Sequence, residues 1–436
     1  MSRLPDVIDC WYDSGSASFA QFHYPFENKE EFFKRTPYDF IAEAIDQTRG
    51  WFYTLHVLST ILFDKPAYKN VICAGHIVDE KGEKMSKSKG NILNPDMVLE
   101  EVGVDATRLQ FCTVDIGGSK KFGIETVKKE ILPFMNTLWN TYQFYTQLNN
   151  SKKAEEKTED KWIISRLNST VKEVTTNLEN YQIEKALLPL MGFIVKDVSK
   201  TYIKLIRNRE DKNVQLVLGE ILEKISKMLA PYAPNITEII YNEFEKRSVH
   251  LSDWPKCEDE KIDPKLEKLF TTTLQIIEKG LSSRDKARIG LRWPLKKATI
   301  AITENPDYSK DLKEIIKEQL NIKDLEINLG KEFTIELDTN ITPELEAEGF
   351  ARELTRAVQA ARKKMGLVKE DIIDLEIIFE HKLLTRIKEF FLEDKKKIGA
   401  KNIAFETGKI KFNYSETGKI KEIDYKISIK NISENK

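Results

Sequence analysis

The sequence predicts a multidomain chain in which an α/β segment, an all-α helix bundle and an α+β domain follow one another over residues 1–125, 126–255 and 256–436. Three observations carry that expectation. Short apolar strands alternate with amphipathic helices up to about residue 125, helical periodicity then runs nearly unbroken to 247, and strand-like and helical patterns mix from 256 onward.

In the first segment, YDFIAEAI (38–45) reads as a buried strand running into a loop, and DQTRGWFYTLHVLSTILF (46–63) as the helix after it, with Asp46 placed to cap it. KNVICAGHIV (69–78) reads as a second buried strand, and DEKG (79–82) as a turn whose glycine supplies positive φ. NPDMVLEEVG (94–103) and DATRLQFCTVD (105–115) predict two short helices, each opened by an Asn or Asp cap. In the bundle, Ile183, Leu187, Leu190, Ile194, Val198, Tyr202 and Leu205 recur at steps of three and four and so form one apolar stripe. KKAEEKTEDK (152–161) reads as a solvated, charged linker. The last domain is expected to hold helices near 263–283, 308–319 and 343–364, with strands at 296–302, near 325–337 and from 364 to the end.

Composition limits the function classes. With 436 residues, 41% hydrophobic and 32% charged, the chain suits two to four globular domains. Lys plus Arg (69) nearly balances Asp plus Glu (70), and between 131 and 255 the counts are 17 and 16, so any basic face must be local. Cys10, Cys73, Cys112 and Cys257 form no CxxC pair, which disfavours a disulfide framework and a structural zinc site. No apolar run approaches a membrane span and MSRLPDVIDC lacks a signal-peptide core, so a cytoplasmic protein without a membrane partner is expected.

The chemistry concentrates in EKMSKSKGN (83–91). A lysine on a loop is a point charge that reaches phosphate oxygens from several directions, and Gly82 and Gly90 at its ends give the backbone room to turn. Ser86 and Ser88 add hydroxyl donors. A solvated basic turn is the plainer alternative.

KMSKS preceded by GHIVDEKGE and followed by KGN, together with DCWYDSGSASFA (9–20), EAIDQTRGWFYTLH (43–56), SVHLSDWP (248–255) and ELEAEGFARELTRAVQAARKKMGL (344–367), resembles the class I aminoacyl-tRNA synthetases. The branch it resembles is the isoleucyl one, of the archaeal and eukaryotic kind; a valyl relative has a WFSS-type sequence where this chain has Trp11, Tyr12, Asp13 and Ser14. The resemblance implies ATP-dependent activation of isoleucine, with Mg2+, and its transfer to tRNA(Ile). It implies the second half of a Rossmann-like catalytic domain, then an anticodon-binding bundle, then a C-terminal domain. Lys87 is expected to meet the ATP phosphates with Lys84 assisting, and Met85, Ser86 and Ser88 complete that motif. Glu43, Asp46 and Gln47 match residues that hold the aminoacyl-adenylate, and Gly75, His76 and Val78 match the stretch beside the adenine. Trp11 and Trp51 match the walls of the isoleucine pocket. From the residue types alone, Asp46 could equally be a helix cap, the tryptophans core side chains, and His76 a satisfied loop histidine. Lys204, Arg207 and Arg209 are candidates for salt-sensitive tRNA contact, or else a solvated face.

The departures from the family pattern matter too. His23, His56, His76, His250 and His381 include no pair close enough to form the His-Ile-Gly-His type ATP motif. The expectation is a chain that holds only the later catalytic half and needs a complementing N-terminal half, with no adenylate made alone. An editing domain is also missing from the pattern. One methylene separates isoleucine from valine, worth about 1–3 kcal/mol, and isoleucine enzymes are the standing example of that discrimination problem. A non-catalytic tRNA-binding module and an inert truncated product remain alternatives.

Overall fold

The computed structural model describes residues 5, 9–85, 90–148, 155–209, 211–303, 308–368, 371–405 and 412–432. The chain divides into two compact units, Met1–Pro264 and Lys265–Lys436. Among the described residues no helix is long and apolar enough to cross a membrane.

The first unit opens on helices α1 (Cys10–Gly15), α2 (Ala17–Ala20) and α3 (Lys29–Arg35). Strand β1 (Tyr38–Ala44) leads through a 3-10 turn at Ile45–Arg49 into α4 (Trp51–Phe63), and β2 (Tyr68–Ala74) lies parallel to β1. Ile41, Phe52, Leu55 and Ala67 form a small core between the pair and α4. The two strands are not buried as expected: Phe40 is 51% and Val71 44% exposed. The physical reason is the thinness of the sheet, because two strands with one helical layer leave the other face open. The expected Asp46 cap is also corrected. The 3-10 turn intervenes, and Gln47 Oε1 instead accepts from Trp51 N at 2.9 Å.

Strand β3 (Ile77–Val78), α5 (Pro95–Val102), α6 (Val104–Cys112) and β4 (Lys120–Lys121) follow, with β4 parallel to β3. Gly82 (φ 85°) and Gly90 (φ 67°) take the left-handed conformation that only glycine adopts without strain. Asn94 caps α5 as expected, accepting from Asp96 N at 3.0 Å.

The bundle comprises α7 (Ile124–Glu130), α8 (Leu132–Thr146), α9 (Thr158–Glu179), α10 (Ile183–Gly192), a π-helical stretch at Phe193–Tyr202, α11 (Ile203–Ile206), α12 (Lys212–Leu229) and α13 (Pro234–Tyr241). Leu187, Leu190, Ile194, Val198 and Tyr202 are buried as the stripe requires, but after Tyr202 it is Ile206, not Leu205, that enters the core. The wider π turn takes up an extra residue and advances the stripe by one.

The end of the expected linker is not solvated. Glu159 and Asp160 are buried in the first turn of α9, where Arg209 binds Glu159 at 2.7 Å, Asp160 at 2.8 Å and Asp211 at 2.9 Å. Tyr202 donates to the same Asp160 at 2.8 Å. Burial alone would ease the proton off Arg209, but the Asp211 and Asp160 hydrogen bonds outweigh it and hold the guanidinium charged. Arg209 is therefore an internal tie, with a side chain 9% exposed, and not part of the exposed face expected for it. Lys204 and Arg207 do lie on the surface.

Helix α6 packs on the bundle. Asp105 does not cap its own helix, whose N-cap is Gly103; its buried carboxylate caps α13, accepting from Ile236 N at 2.7 Å and Asn235 N at 3.1 Å. Asn235 Nδ2 donates to it as well, at 2.8 Å. One turn along α6, Arg108 donates to the carbonyls of Pro231 at 2.7 Å and Tyr232 at 3.2 Å, just beyond the end of α12. An acid at one helix start and a base at the preceding helix end match both backbone dipoles.

The second unit is built on α14 (Pro264–Lys286). Strand β5 (Leu295–Ile302), α15 (Lys310–Leu320), β6 (Ile322–Leu329) and β7 (Thr334–Leu337) form a sheet in the order β6-β5-β7. Then α16 (Pro343–Lys364), β8 (Ile373–Phe379), α17 (Leu384–Glu393), α18 (Lys395–Ile398), β9 (Ala400–Ala404), β10 (Tyr414–Ile420) and β11 (Ile423–Asn431) make a second sheet, ordered β10-β11-β8-β9. The α+β pattern is as expected except that α17 and α18 interrupt the strands anticipated after 364. Arg284 is buried and donates to the carbonyls of Leu320, Gly290 and Trp293; burial pushes its pKa down to about 10.

Removing Arg209 should expose how far the bundle depends on it. Arg209→Met leaves Asp160 buried with an uncompensated charge and is expected to lower stability by about 3–5 kcal/mol in urea unfolding, whereas Lys204→Ala should stay within roughly 0.5 kcal/mol. Equal effects would contradict the assignment. The Arg209 hydrogen bond holds the Asp211 carboxyl below its usual value. Its contribution is thus complete above the unfolded value, about 3.9, and lost as pH falls through the lower folded one.

Candidate functional site

The strand register places several of the expected residues on one edge. Glu43 lies opposite Cys73 and Ala44 opposite Ala74, so the carboxyl ends of β1 and β2 finish side by side. Asp46 and Gln47 follow β1 directly, and Gly75 and His76 follow β2. Glu43, Asp46 and His76 are exposed there, and Gln47 Nε2 donates to Asp46 Oδ2 at 3.2 Å. This is the edge of a parallel sheet at which polar ligands are received.

Trp11 packs over Gly50, the residue before Trp51. A Cβ added at Gly50 would meet Gln47 Oε1 at 2.7 Å and the Trp11 ring at 2.9 Å, so only glycine lets Trp11 and Gln47 approach the start of α4 this closely. Trp51 Nε1 donates to Ser14 O at 3.2 Å, which ties α4 to α1. Trp51 packs against the Ile41–Phe52 core on one side, while Trp11 is 41% exposed. The part of the Trp11 indole left exposed is apolar surface that a small apolar group can cover.

The lysine-bearing stretch begins from β3. Val78 is buried and pairs with Lys84 in an antiparallel bridge, Lys84 is exposed, and Met85 is half-buried. Ser86, Lys87 and Ser88 lie outside the described residues. Strand β3 is held in place from β4: Lys120 N donates to His76 O at 2.8 Å and Phe122 N to Val78 O at 2.9 Å. Lys120 is itself buried, with its ammonium on Ile116 O at 2.7 Å, and burial pushes its pKa down against the pull of Asp115. Gly75 lies against the backbone at Gly117 and Gly118, where a Cβ would come within 2.2 Å of Gly118 O.

Three participants escaped the sequence reading. Asp79 and Asn91 were visible only as turn and motif letters, yet their side chains bond each other at 2.9 Å across the lysine stretch. The Asp-x-x-Gly spacing of DEKG was the available signal, since an Asp side chain commonly accepts from backbone N–H groups two residues on. Gly50 was the third, and only the packing reveals its role. Lys204 and Arg207 are exposed on α11 and its end, and among the described residues no three His, Cys, Asp or Glu side chains form a group suited to a metal ion.

Comparison with known proteins adds to this geometry. Residues 1–122 match the model of class I tRNA synthetases (I, L, M and V), and residues 160–300 that of the anticodon-binding domain of tRNA ligases. The chain is 38% identical to the isoleucine–tRNA ligase of Clostridium kluyveri over 93% of its own length and 49% of that relative. It is 41% identical to that of Clostridium novyi (84% and 37%) and 33% identical to isoleucine–tRNA ligase 2 of Bacillus cereus (90% and 48%). The chain spans about half the length of the curated relatives it matches. Among solved structures, the LeuRS of Agrobacterium radiobacter in its complex with tRNA and LeuAMS shares the fold over 60% of this chain and 34% of that one, with a TM-score of 0.50 and 18% identity.

The close approach at Gly75 gives a direct test of the site's framework. Gly75→Ala must push β2 away from a backbone carbonyl and is expected to cost about 1–3 kcal/mol of stability in urea unfolding. It should also speed amide exchange at Lys120, whose partner is the neighbouring His76 carbonyl. Unaltered stability and exchange would mean that the two backbones do not pack as described.

Proposed function

We propose, from the premise that this chain belongs to the class I tRNA synthetases with isoleucine–tRNA ligases as its relatives, that it carries the later half of an isoleucine-activating site. The observation that carries the proposal is the β1–β2 register, which sets Glu43, Asp46, Gln47, Gly75 and His76 along one carboxyl-terminal edge. ATP with Mg2+ and isoleucine are the substrates in this reading. A carboxylate oxygen of isoleucine attacks the α-phosphorus, the bond to the bridging oxygen breaks, and pyrophosphate leaves with the electron pair.

Negative charge grows on the departing pyrophosphate, so lysines that meet it late lower the barrier more than they tighten ground-state binding. Lys87 takes that role with Lys84 beside it, supported by their places in KMSKS; Met85, Ser86 and Ser88 belong to the same phosphate-side stretch. Glu43, Asp46 and Gln47 hold the adenylate, Gly75, His76 and Val78 border the adenine, and Trp11 and Trp51 wall the isoleucine side chain. The isoleucyl group then passes to tRNA(Ile), which meets the bundle through surface cations including Lys204 and Arg207.

The open face and edges of β1–β2 support a partner. Parallel sheets are stable when more strands and both helical layers are present, and a complementing half of the Rossmann-like domain would supply them. In this reading residues 1–125 form the catalytic half, 126–255 the anticodon-binding bundle and 256–436 the C-terminal α+β domain, and the protein works in the cytoplasm.

The test is isoleucine-dependent pyrophosphate exchange after co-production with the N-terminal half of the Clostridium kluyveri relative. Exchange is expected from the combination and not from the chain alone. Lys87→Ala should lower its rate by roughly two to three powers of ten with the KM for isoleucine unchanged. Trp51→Ala should instead raise that KM, by roughly ten- to a hundredfold. A full rate in Lys87→Ala would reduce the loop to a basic turn, and no exchange in any combination, with salt-sensitive tRNA binding retained, would leave a non-catalytic tRNA-binding module.

A further inference from the structure

The ends of the lysine-bearing stretch are joined by side chains. Asp79 Oδ2 accepts from Asn91 Nδ2 at 2.9 Å, while Oδ1 accepts from Glu83 N at 2.8 Å and Lys81 N at 3.0 Å. Asn91 Nδ2 also donates to Lys84 O at 3.3 Å. The backbone reinforces the same turn: Asp79 N donates to Glu83 O and Gly82 N to Asp79 O, both at 2.9 Å. The Asn91 hydrogen bond, followed by that from Glu83, holds the Asp79 carboxyl below its usual value.

The turn is also anchored from outside. Thr126 Oγ1 donates to Glu80 Oε1 at 3.2 Å, and the Glu80 side chain occupies the space over Gly123 where a Cβ would stand 2.0 Å from it. The backbone at Lys84 thus has Val78 on one side and the Asn91 amide on the other.

We infer that Asp79 and Asn91 are positioning residues for Lys84: their side-chain bond ties the 79–84 turn to Asn91, which also holds the Lys84 carbonyl, and so fixes the backbone from which that lysine is presented to phosphate. The inference rests on the proposed function for the identity of the phosphate, and on geometry alone for the clasp. Asp79 supplies acceptors to three N–H groups at once, which no apolar residue replaces. A misplacement of about 1 Å at a reacting group costs roughly a hundredfold in rate, so a clasp remote from substrate still controls turnover.

Two readouts test it. In the chain as it stands, Asp79→Ala should speed amide exchange over residues 80–84 by roughly tenfold or more, whereas the swap Asp79→Asn with Asn91→Asp, which restores donor to acceptor, should keep most of the protection. Exchange unchanged in Asp79→Ala overturns the clasp. In the complemented assembly, Asp79→Ala should lower kcat for pyrophosphate exchange by roughly ten- to a hundredfold with the KM for isoleucine unaltered, and the swap should recover it. An unaltered kcat alongside fast amide exchange would show a turn with no positioning role. A complemented assembly inactive even without substitution would overturn the proposed function, and the positioning role with it, while the exchange result would still report the clasp.

Discussion

The docking of α6 onto the α12–α13 turn is the contact on which the first unit depends. Asp105 and Arg108 share one helix face and satisfy backbone groups more than 120 residues away, at the start of α13 and just beyond the end of α12. A carboxylate that accepts two N–H groups of a helix start relieves donors that would otherwise be buried without partners. Two parallel strands with one layer of helix are marginal by themselves, so support from the bundle matters to the half-sheet, and the chain leaving α6 reaches it through β4, which pairs with β3. A second contact lies at the α9–α10 turn, where the Tyr181 ring packs against Phe40 with centroids 5.6 Å apart.

The same helix leads directly to the candidate site. From α6 the chain passes Asp115 and Ile116 to β4, whose backbone fixes His76 and Val78 and thereby the origin of the lysine-bearing stretch. Lys120 is buried at that junction with its ammonium on the Ile116 and Asp115 carbonyls, so the link is polar and geometrically specific instead of a loose apolar contact. The candidate lysine stretch and the helices matching an anticodon-binding model are therefore parts of one packed body.

What the sequence made legible was local. The glycines at 82 and 90, the Asn94 cap, the bundle stripe up to Tyr202 and the long helix at 343–364 all follow from signals within one or two turns of chain. What it hid was long-range. Asp105 looks like the cap of its own helix and serves another one; Arg209 looks like a surface cation and closes a buried ion cluster with residues about 50 positions away. Asp46 and Gln47 adjoin, and only the intervening 3-10 turn decides that it is Gln47 whose side chain meets the first N–H of α4. The burial of β1 and β2 was misjudged because apolar residues announce a wish for cover but not whether cover is present. The site residues were named from motifs, and Ser86, Lys87 and Ser88, the heart of that motif, lie outside the described residues.

Amide exchange on the intact chain, compared with an Asp105→Ala, Arg108→Ala double variant, tests most directly whether the bundle orders the half-sheet. The account predicts roughly tenfold or faster exchange in the variant across β1, β2 and β3, with α9 and α12 as protected as before. Unchanged protection in those strands would contradict it, because the half-sheet would then be stable without the contact that is held to organise it.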